Sequence, residues 1–344
     1  MSVSPECTRW SETSIGASTI AGSPMKSERR MNRPPMSNLQ QSSPLVRGYL
    51  FILSAVLFWS GSASLAKHLF TTSYDTLIIV QTRSSLSFVL FAVYFALRRR
   101  AIFKIDSKDL LKFVLVGVIG VAVTNFTYYF AVKESTVATA ILIQYIAPVL
   151  VMIYAVSVIR SELLSSAKVI SMALALIGCF FAVTSGSVSS LQLTGWGLAS
   201  GFASALGYAF MLLMSKHLLA KYSVWTMLTY AFGFATLFWL FVNPPWVVAS
   251  RGYDEGDWGI FLLFAVMSIL IPHSLFSSGL KLMEASTVGI VTTLEPVFSI
   301  LIAHLALGEA FGGAQIIGAI AVVTAIVLLQ LRGMRHAVRN RHVE

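Results

Sequence analysis

Charge is scarce in this sequence. Asp, Glu, Lys and Arg make up 12% of its 344 residues, about half the share found in ordinary soluble proteins. That excludes a string of soluble domains. Cysteine is nearly absent, and Cys7 and Cys179 alone build neither a disulfide framework nor a thiolate metal site. The six histidines are dispersed, and no Gly-x-Ser-x-Gly elbow, His-Glu-x-x-His helix or Walker loop occurs. The chain therefore offers no enzyme motif, metal site or cofactor site, and ATP-driven work would need a separate subunit. Residues 1–46 contain no apolar run, so the h-region of a signal peptide is missing too.

What is present is apolar. Hydrophobic residues make up 56% of the chain and recur in runs of ~20, the length that crosses ~30 Å of hydrocarbon as helix. Ten spans are expected near 47–67, 76–97, 110–131, 136–158, 167–184, 194–215, 224–243, 258–280, 286–307 and 312–332. The fold class is all-α and polytopic, with the lipid bilayer as its surroundings. Residues 1–46, rich in Ser, Pro and Arg, read as a disordered cytoplasmic tail, with Met31 and Met36 as alternative starts to Met1. Residues 333–344 form a basic tail.

The net charge of +10 does not point to nucleic acid, because the basic residues flank the apolar runs. With a cytoplasmic N-terminus, the inside segments hold Arg98, Arg99, Arg100, Lys104, Lys108, Lys112, Arg160, Lys168, Lys216, Lys221, Lys281, Arg332, Arg335, Arg339 and Arg341. The outside segments hold Lys67, Lys133 and Arg251. Fifteen against three is the positive-inside pattern of a multi-pass cell-membrane protein with both termini cytoplasmic. Trp196, Trp246 and Trp258 fall near span ends, where aromatic belts form.

The chain also repeats itself. At an offset of 148 or 149, Lys67-His68-Leu69 falls on Lys216-His217-Leu218, Lys133 on Lys281 and Pro148 on Pro296; Glu162 falls on Glu309 at 147. Residues 47–184 and 194–332 are thus two five-span copies. Five is odd, so the second copy enters the membrane from the opposite side, giving two inverted five-helix repeats. Each copy carries a proline in the middle of its fourth span, Pro148 or Pro296. Proline removes a helical N–H, which a membrane tolerates only where protein or a water-filled cavity serves the freed carbonyl. Paired interrupted spans are the sequence signature of a carrier's binding site.

Ten spans in two copies, each with that proline and a Glu 13 or 14 residues later, resemble the drug/metabolite transporter superfamily. Leu294-Glu295-Pro296-Val297 and Leu307-Gly308-Glu309 resemble its EamA branch, while the first copy departs with Ala147 before its proline and Ser161 before Glu162. The resemblance covers about residues 47–332. It implies a secondary carrier, often an exporter of amino acids or other small metabolites, with a small-molecule substrate and no cofactor.

Glu295 is the only acid deep within an expected span, and Arg83 the only base. An ionisable group at such depth is a functional-site hypothesis by default. Glu295 could couple protons or meet a substrate ammonium; the bland alternative is that it braces the kink at Pro296. Counted along their helices, Arg83 lies ~10 Å and Glu295 ~18 Å from one surface, and a zwitterion could bridge the difference of about 8 Å. Snorkelling, or capping of helix carbonyls, is the alternative for Arg83.

Trp59, Asn125, Tyr128, Tyr129, Gln144, Tyr145 and Tyr208 form a second tier, whose polar tips should face the bundle interior for substrate or for packing. His273, beside Pro272, and His304 could titrate or sit satisfied in the interior. Lys67 and Lys216 read as interface anchors, and Glu162 and Glu309 as negative charges at the starts of spans 5 and 10. Gly197, Gly201 and Ala205 give span 6 a close-packing face. A channel and a membrane receptor or scaffold are the competing function classes, and a homodimer is compatible with either. Substrate, direction and coupling ion do not follow from the sequence.

Overall fold

A computed structural model describes the backbone of residues 44–71, 74–307 and 312–341. Residues 1–43 of the tail expected at 1–46, and the side chains of Lys67, His68, Leu69 and Glu309 and of the basic residues from Arg332 onward, lie outside the described residues; Pro44, Leu45 and Val46 already belong to α1. In chain order the helices are α1 (Pro44–Thr71), α2 (Thr76–Arg98), α3 (Ser107–Glu134), α4 (Val137–Gln144), α5 (Ala147–Ser157), α6 (Ser166–Thr184) and α7 (Gly195–Lys221). They continue with α8 (Val224–Val242), the short α9 (Pro245–Ala249), α10 (Glu255–Leu282), α11 (Ala285–Thr292), α12 (Glu295–Leu307) and α13 (Gly313–Arg341). No strand occurs among the described residues. α4 with α5, and α11 with α12, each make one crossing, so ten segments are long and apolar enough to span a membrane. This is a multi-pass, all-α membrane protein.

The helices begin where the sequence supplies a cap. Asp75, Thr136, Ser165, Thr194 and Ser223 each accept from a backbone N–H in the first turn of α2, α4, α6, α7 and α8. Asp254 and Asp257 form a reciprocal capping box at α10. Such caps serve donors that no helical carbonyl can reach. Glu284, before α11, makes no side-chain cap bond, and neither do Ile146 before α5 and Pro244 before α9.

Packing interleaves the two halves of the chain. α1 lies along α10 and α12, α3 along α7 and α8, α2 along α8 and α10, α4 and α5 along α7, α5 along α11, and α6 along α13. This set of pairings is unchanged when the halves are exchanged. Span 1 with spans 8 and 9 is mirrored by span 6 with spans 3 and 4, and spans 2, 4 and 5 meet their own counterparts 7, 9 and 10. The span 5–10 seam is closest at two glycines. A Cβ on Gly178 would come within 2.7 Å of the Gly318 carbonyl, and one on Gly318 within 2.6 Å of the Gly178 carbonyl.

Ionic contacts mark the two ends of the bundle. At one, the basic face, Lys221 reaches Asp109 (2.6 Å) and Asp106 (3.4 Å), Lys112 reaches Asp109 (2.8 Å) and His217 (3.2 Å), and Lys281 donates to the Tyr222 carbonyl. At the other, Arg251 pairs with Asp75 at 3.1 Å and Tyr74 donates to Asp257. That last bond holds the Tyr74 phenol above its ordinary pKa, because the neutral form is the donor. Lys216, expected as an interface anchor, turns its ammonium to protein carbonyls. Its ammonium donates to the carbonyls of Leu280 (2.8 Å), Lys281 (3.2 Å) and Met283 (2.6 Å) and so caps the end of α10.

Candidate functional site

Three prolines shape the centre of the bundle. Pro148 and Pro296 stand at the starts of α5 and α12, where each broken span resumes after a short turn. Pro272 acts differently. It sits in α10 just past a π-helical segment, Val266–Leu270, and its missing N–H leaves the Ser268 carbonyl without a helical partner. Trp59 Nε1 fills that place at 3.1 Å. α3 carries a π segment at the corresponding position, Val116–Val123, and there the Val121 carbonyl accepts from Asn125 Nδ2 at 2.7 Å. Local π turns are frequent at functional sites. In both halves, a carbonyl of the irregular segment fixes a side chain of the site.

Glu295 is the first residue of α12. Its carbonyl accepts from Ser60 Oγ of α1 at 2.9 Å, and its Oε2 lies 3.5 Å from the Tyr145 hydroxyl, in the break of span 4. Tyr208 of α7 hydrogen-bonds Thr292, and Cys179 of α6 lies 3.5 Å from the Thr293 carbonyl. The break of span 4 thus reaches the Glu295 carboxylate itself, while α1, α6 and α7 hold the backbone and the threonines of the break that carries it. Negative charge is favoured there by the half-helix N-terminus of α12.

Arg83 of α2 forms the second focus. Its Nη2 donates to Asn125 Oδ1 at 2.6 Å, and its guanidinium lies 5.6 Å from the Tyr129 ring and 5.7 Å from that of Phe264. Its Nε is buried with no hydrogen-bond partner. The guanidinium thus turns inward, held by an amide and two rings, instead of reaching for an interface. Arg83 and Glu295 do not pair directly; Tyr128 stands within electrostatic reach of both. Trp59 packs edge-on against His273 at 5.2 Å and beside Phe276 at 5.3 Å.

Trp59, Arg83, Asn125, Tyr128, Tyr208, His273 and Glu295 are all half-buried although each stands within a span and its partners lie inside the bundle. We read the part of these side chains that stays exposed as the lining of a candidate internal space. Tyr145, 7% exposed, closes against it. Gln144 is turned away: its Nε2 donates to Ser204 Oγ at 2.8 Å, and Ser204 donates on to the Thr124 carbonyl. Gly201 of the same span 6 face lies against Ile143, so that face packs on span 4. His304 stands exposed on α12. Among the described residues, no three His, Cys, Asp or Glu side chains gather as a metal set.

The halves of the two broken spans behave unequally. α5 and α11 pack on each other, with the Pro148 ring 2.9 Å from where a Cβ on Gly289 would stand. α4 packs instead on α3, α6 and α7, and α12 on α1, α6 and α13. α5 and α11 run toward the basic face, so the two broken spans pack on each other on that side. Sequence reasoning missed Ser60, Ser268, Thr292 and Thr293. Only Ser268 left a signal, since Pro272 lies four residues beyond it. Glu162, expected to favour the start of α6, reaches α11 instead.

The sequence profile of the EamA-like transporter family matches residues 46–184 and 195–331. The "Uncharacterized inner membrane transporter YicL" of Salmonella typhimurium is 24% identical over 300 residues, 85% of this chain and 97% of that relative. The "Uncharacterized transporter YxxF" of Bacillus subtilis is 25% identical over 309 residues, 87% of this chain and 93% of its own. An "Uncharacterized transporter" of Archaeoglobus fulgidus is 28% identical over 214 residues, 61% of this chain and 74% of its own. A solved structure described only as "Crystal structure of protein" superimposes with a TM-score of 0.69 at 17% identity, covering 84% of this chain and 98% of that one, which establishes likeness of fold.

Proposed function

Because the chain belongs to the EamA-like transporter family and is a membrane transporter, we propose that it is a secondary active carrier of a small polar metabolite of the amino-acid type. It works by alternating access between two inverted halves and exports its substrate across the cell membrane, with both termini cytoplasmic. The observation that carries this reading is the convergence of both broken spans on Glu295, with Arg83 held separately across the same internal space. A carboxylate and an unpaired guanidinium at two depths suit the two ends of a zwitterion. Glu295 meets the ammonium, or a proton when the substrate has left, and Arg83 meets the carboxylate. Pairings that survive exchange of the halves suit a rocking motion about a central site.

Purified protein in liposomes, loaded with a mixed pool of amino acids and related metabolites and read by mass spectrometry, tests the proposal. Saturable exchange of zwitterionic substrates is expected. Conductance far above carrier turnover would replace the carrier with a channel, and no flux of any pool member would leave a receptor or scaffold. Glu295→Gln in the same vesicles separates the coupling role. Transport driven by a pH gradient should vanish while exchange at equal pH persists; unchanged proton dependence would remove that role.

A further inference from the structure

An ionic cluster outside the central site, buried at Glu162 and Lys168 and open to the surface at Glu284, joins the two halves of the chain near the basic face. Glu162 and Lys168 are only 8% and 7% exposed. Lys168 Nζ lies 3.0 Å from Glu162 Oε2 and 2.7 Å from Glu284 Oε2. Glu162 Oε1 accepts from the backbone N–H of Ser286 at 3.2 Å, and its Oε2 accepts from the Ser286 hydroxyl. Lys216 stands within electrostatic reach of both Glu162 and Glu284.

The local geometry is built for this contact. α5 ends in a turn in which Ser161 N–H bonds back to the Ala155 carbonyl at 3.0 Å and Arg160 adopts a left-handed φ of 55°. That turn swings Glu162 to the start of α11. There the residue before the helix, Glu284, makes no side-chain cap bond, so a carboxylate from the other half of the chain caps α11 in its place. One step deeper, α5 and α11 touch at Pro148 and Gly289. The counterpart half-helix α4 needs no such help, because its own Thr136 caps it.

The repeat makes the asymmetry plain. At the offset of 147 that sets Glu162 on Glu309, Lys168 falls on Gln315; at 148, Ser286 falls on Ala138. The counterpart positions in the other half therefore carry neither the ammonium nor the hydroxyl from which this latch is made. We propose that Glu162 and Lys168, gripping Ser286 and Glu284, are the gate that closes the central space toward the basic face. Releasing Ser286 is the step that opens that face. This inference rests on the alternating-access reading, but its test does not need a known substrate.

The test places a reporter on α11 at Val288, which is fully buried in the structure, as Val288→Cys in full-length protein carrying Cys7→Ser and Cys179→Ala. A membrane-impermeant maleimide is applied separately from each face of reconstituted vesicles. Glu162→Gln and Lys168→Met should each raise labelling from the basic face about tenfold or more and leave labelling from the opposite face no faster. Ser286→Ala, which keeps the backbone donor, should fall between them and the parent, and Glu162→Asp should restore slow labelling in part.

Faster labelling from both faces, or unchanged labelling in variants that remain monodisperse, would overturn the gate. The milder Ser286→Ala keeps the question decidable if the charge variants do not fold, because equal labelling there also counts against it. A face-specific change in protein that moves no metabolite would leave the gate standing and sink the transport proposal. The reverse result would sink the gate alone.

Discussion

Arg83 and Glu295, which we propose carry the chemistry of the centre, are each held by a different set of neighbours. Arg83 is fixed by Asn125 and two aromatic rings, which leaves the rest of its fork for a planar anion. Arg83→Lys keeps the charge and loses that fork. The expected result is a rise of about tenfold in half-saturating substrate concentration, or ~1.4 kcal/mol, with maximal exchange little changed. A loss of maximal rate at constant affinity would assign Arg83 to the framework instead. Both residues could be picked out in the sequence because no other charge lies so deep. Ser60, Thr292 and Thr293 could not, because their importance comes from where a broken helix turns, and hydroxyl residues of this kind are common in spans.

Among the elements, the irregular ones position the site. Pro272 leaves the Ser268 carbonyl to Trp59, so Pro272→Ala should restore a helical bond and compete with the indole. Such a change should stabilise the protein by about 1–2 kcal/mol while slowing transport, as read by thermal denaturation and exchange rate together. Lower stability would show that the proline is needed for packing. Gly289→Ala presses a methyl against the Pro148 ring, and overpacking of this sort costs about 1–3 kcal/mol. It should also speed basic-face labelling of Val288→Cys; unaltered labelling would mean that α5 and α11 separate without passing that contact. The spans and both proline breaks were readable because apolar runs and proline leave local signals. The π segments were not, since nothing in Val116–Val123 departs from an ordinary apolar helix.

For the whole molecule, the decisive feature is that the closest helix pairings cross between the halves and survive their exchange. The internal offset in the sequence announced two copies, and an odd number of spans per copy implied their inversion. It could not reveal that Glu162 serves α11, since a bond across 124 residues has no local trace. Removing one partner of a buried ion pair costs about 3–5 kcal/mol, so Glu162→Gln should lower thermal stability as well as release the gate. A substrate that binds only the form closed at the basic face should return part of that stability.

On the proposed mechanism, one internal space serves both faces in turn. Tyr128→Cys, within reach of both Arg83 and Glu295, tests it most directly in vesicles of both orientations probed with an impermeant thiol reagent. Reaction is predicted from either face, never from both at once in a single conformational trap, with protection by the transported metabolite on both sides. Reaction from one face only, whatever metabolite is supplied, would contradict the account.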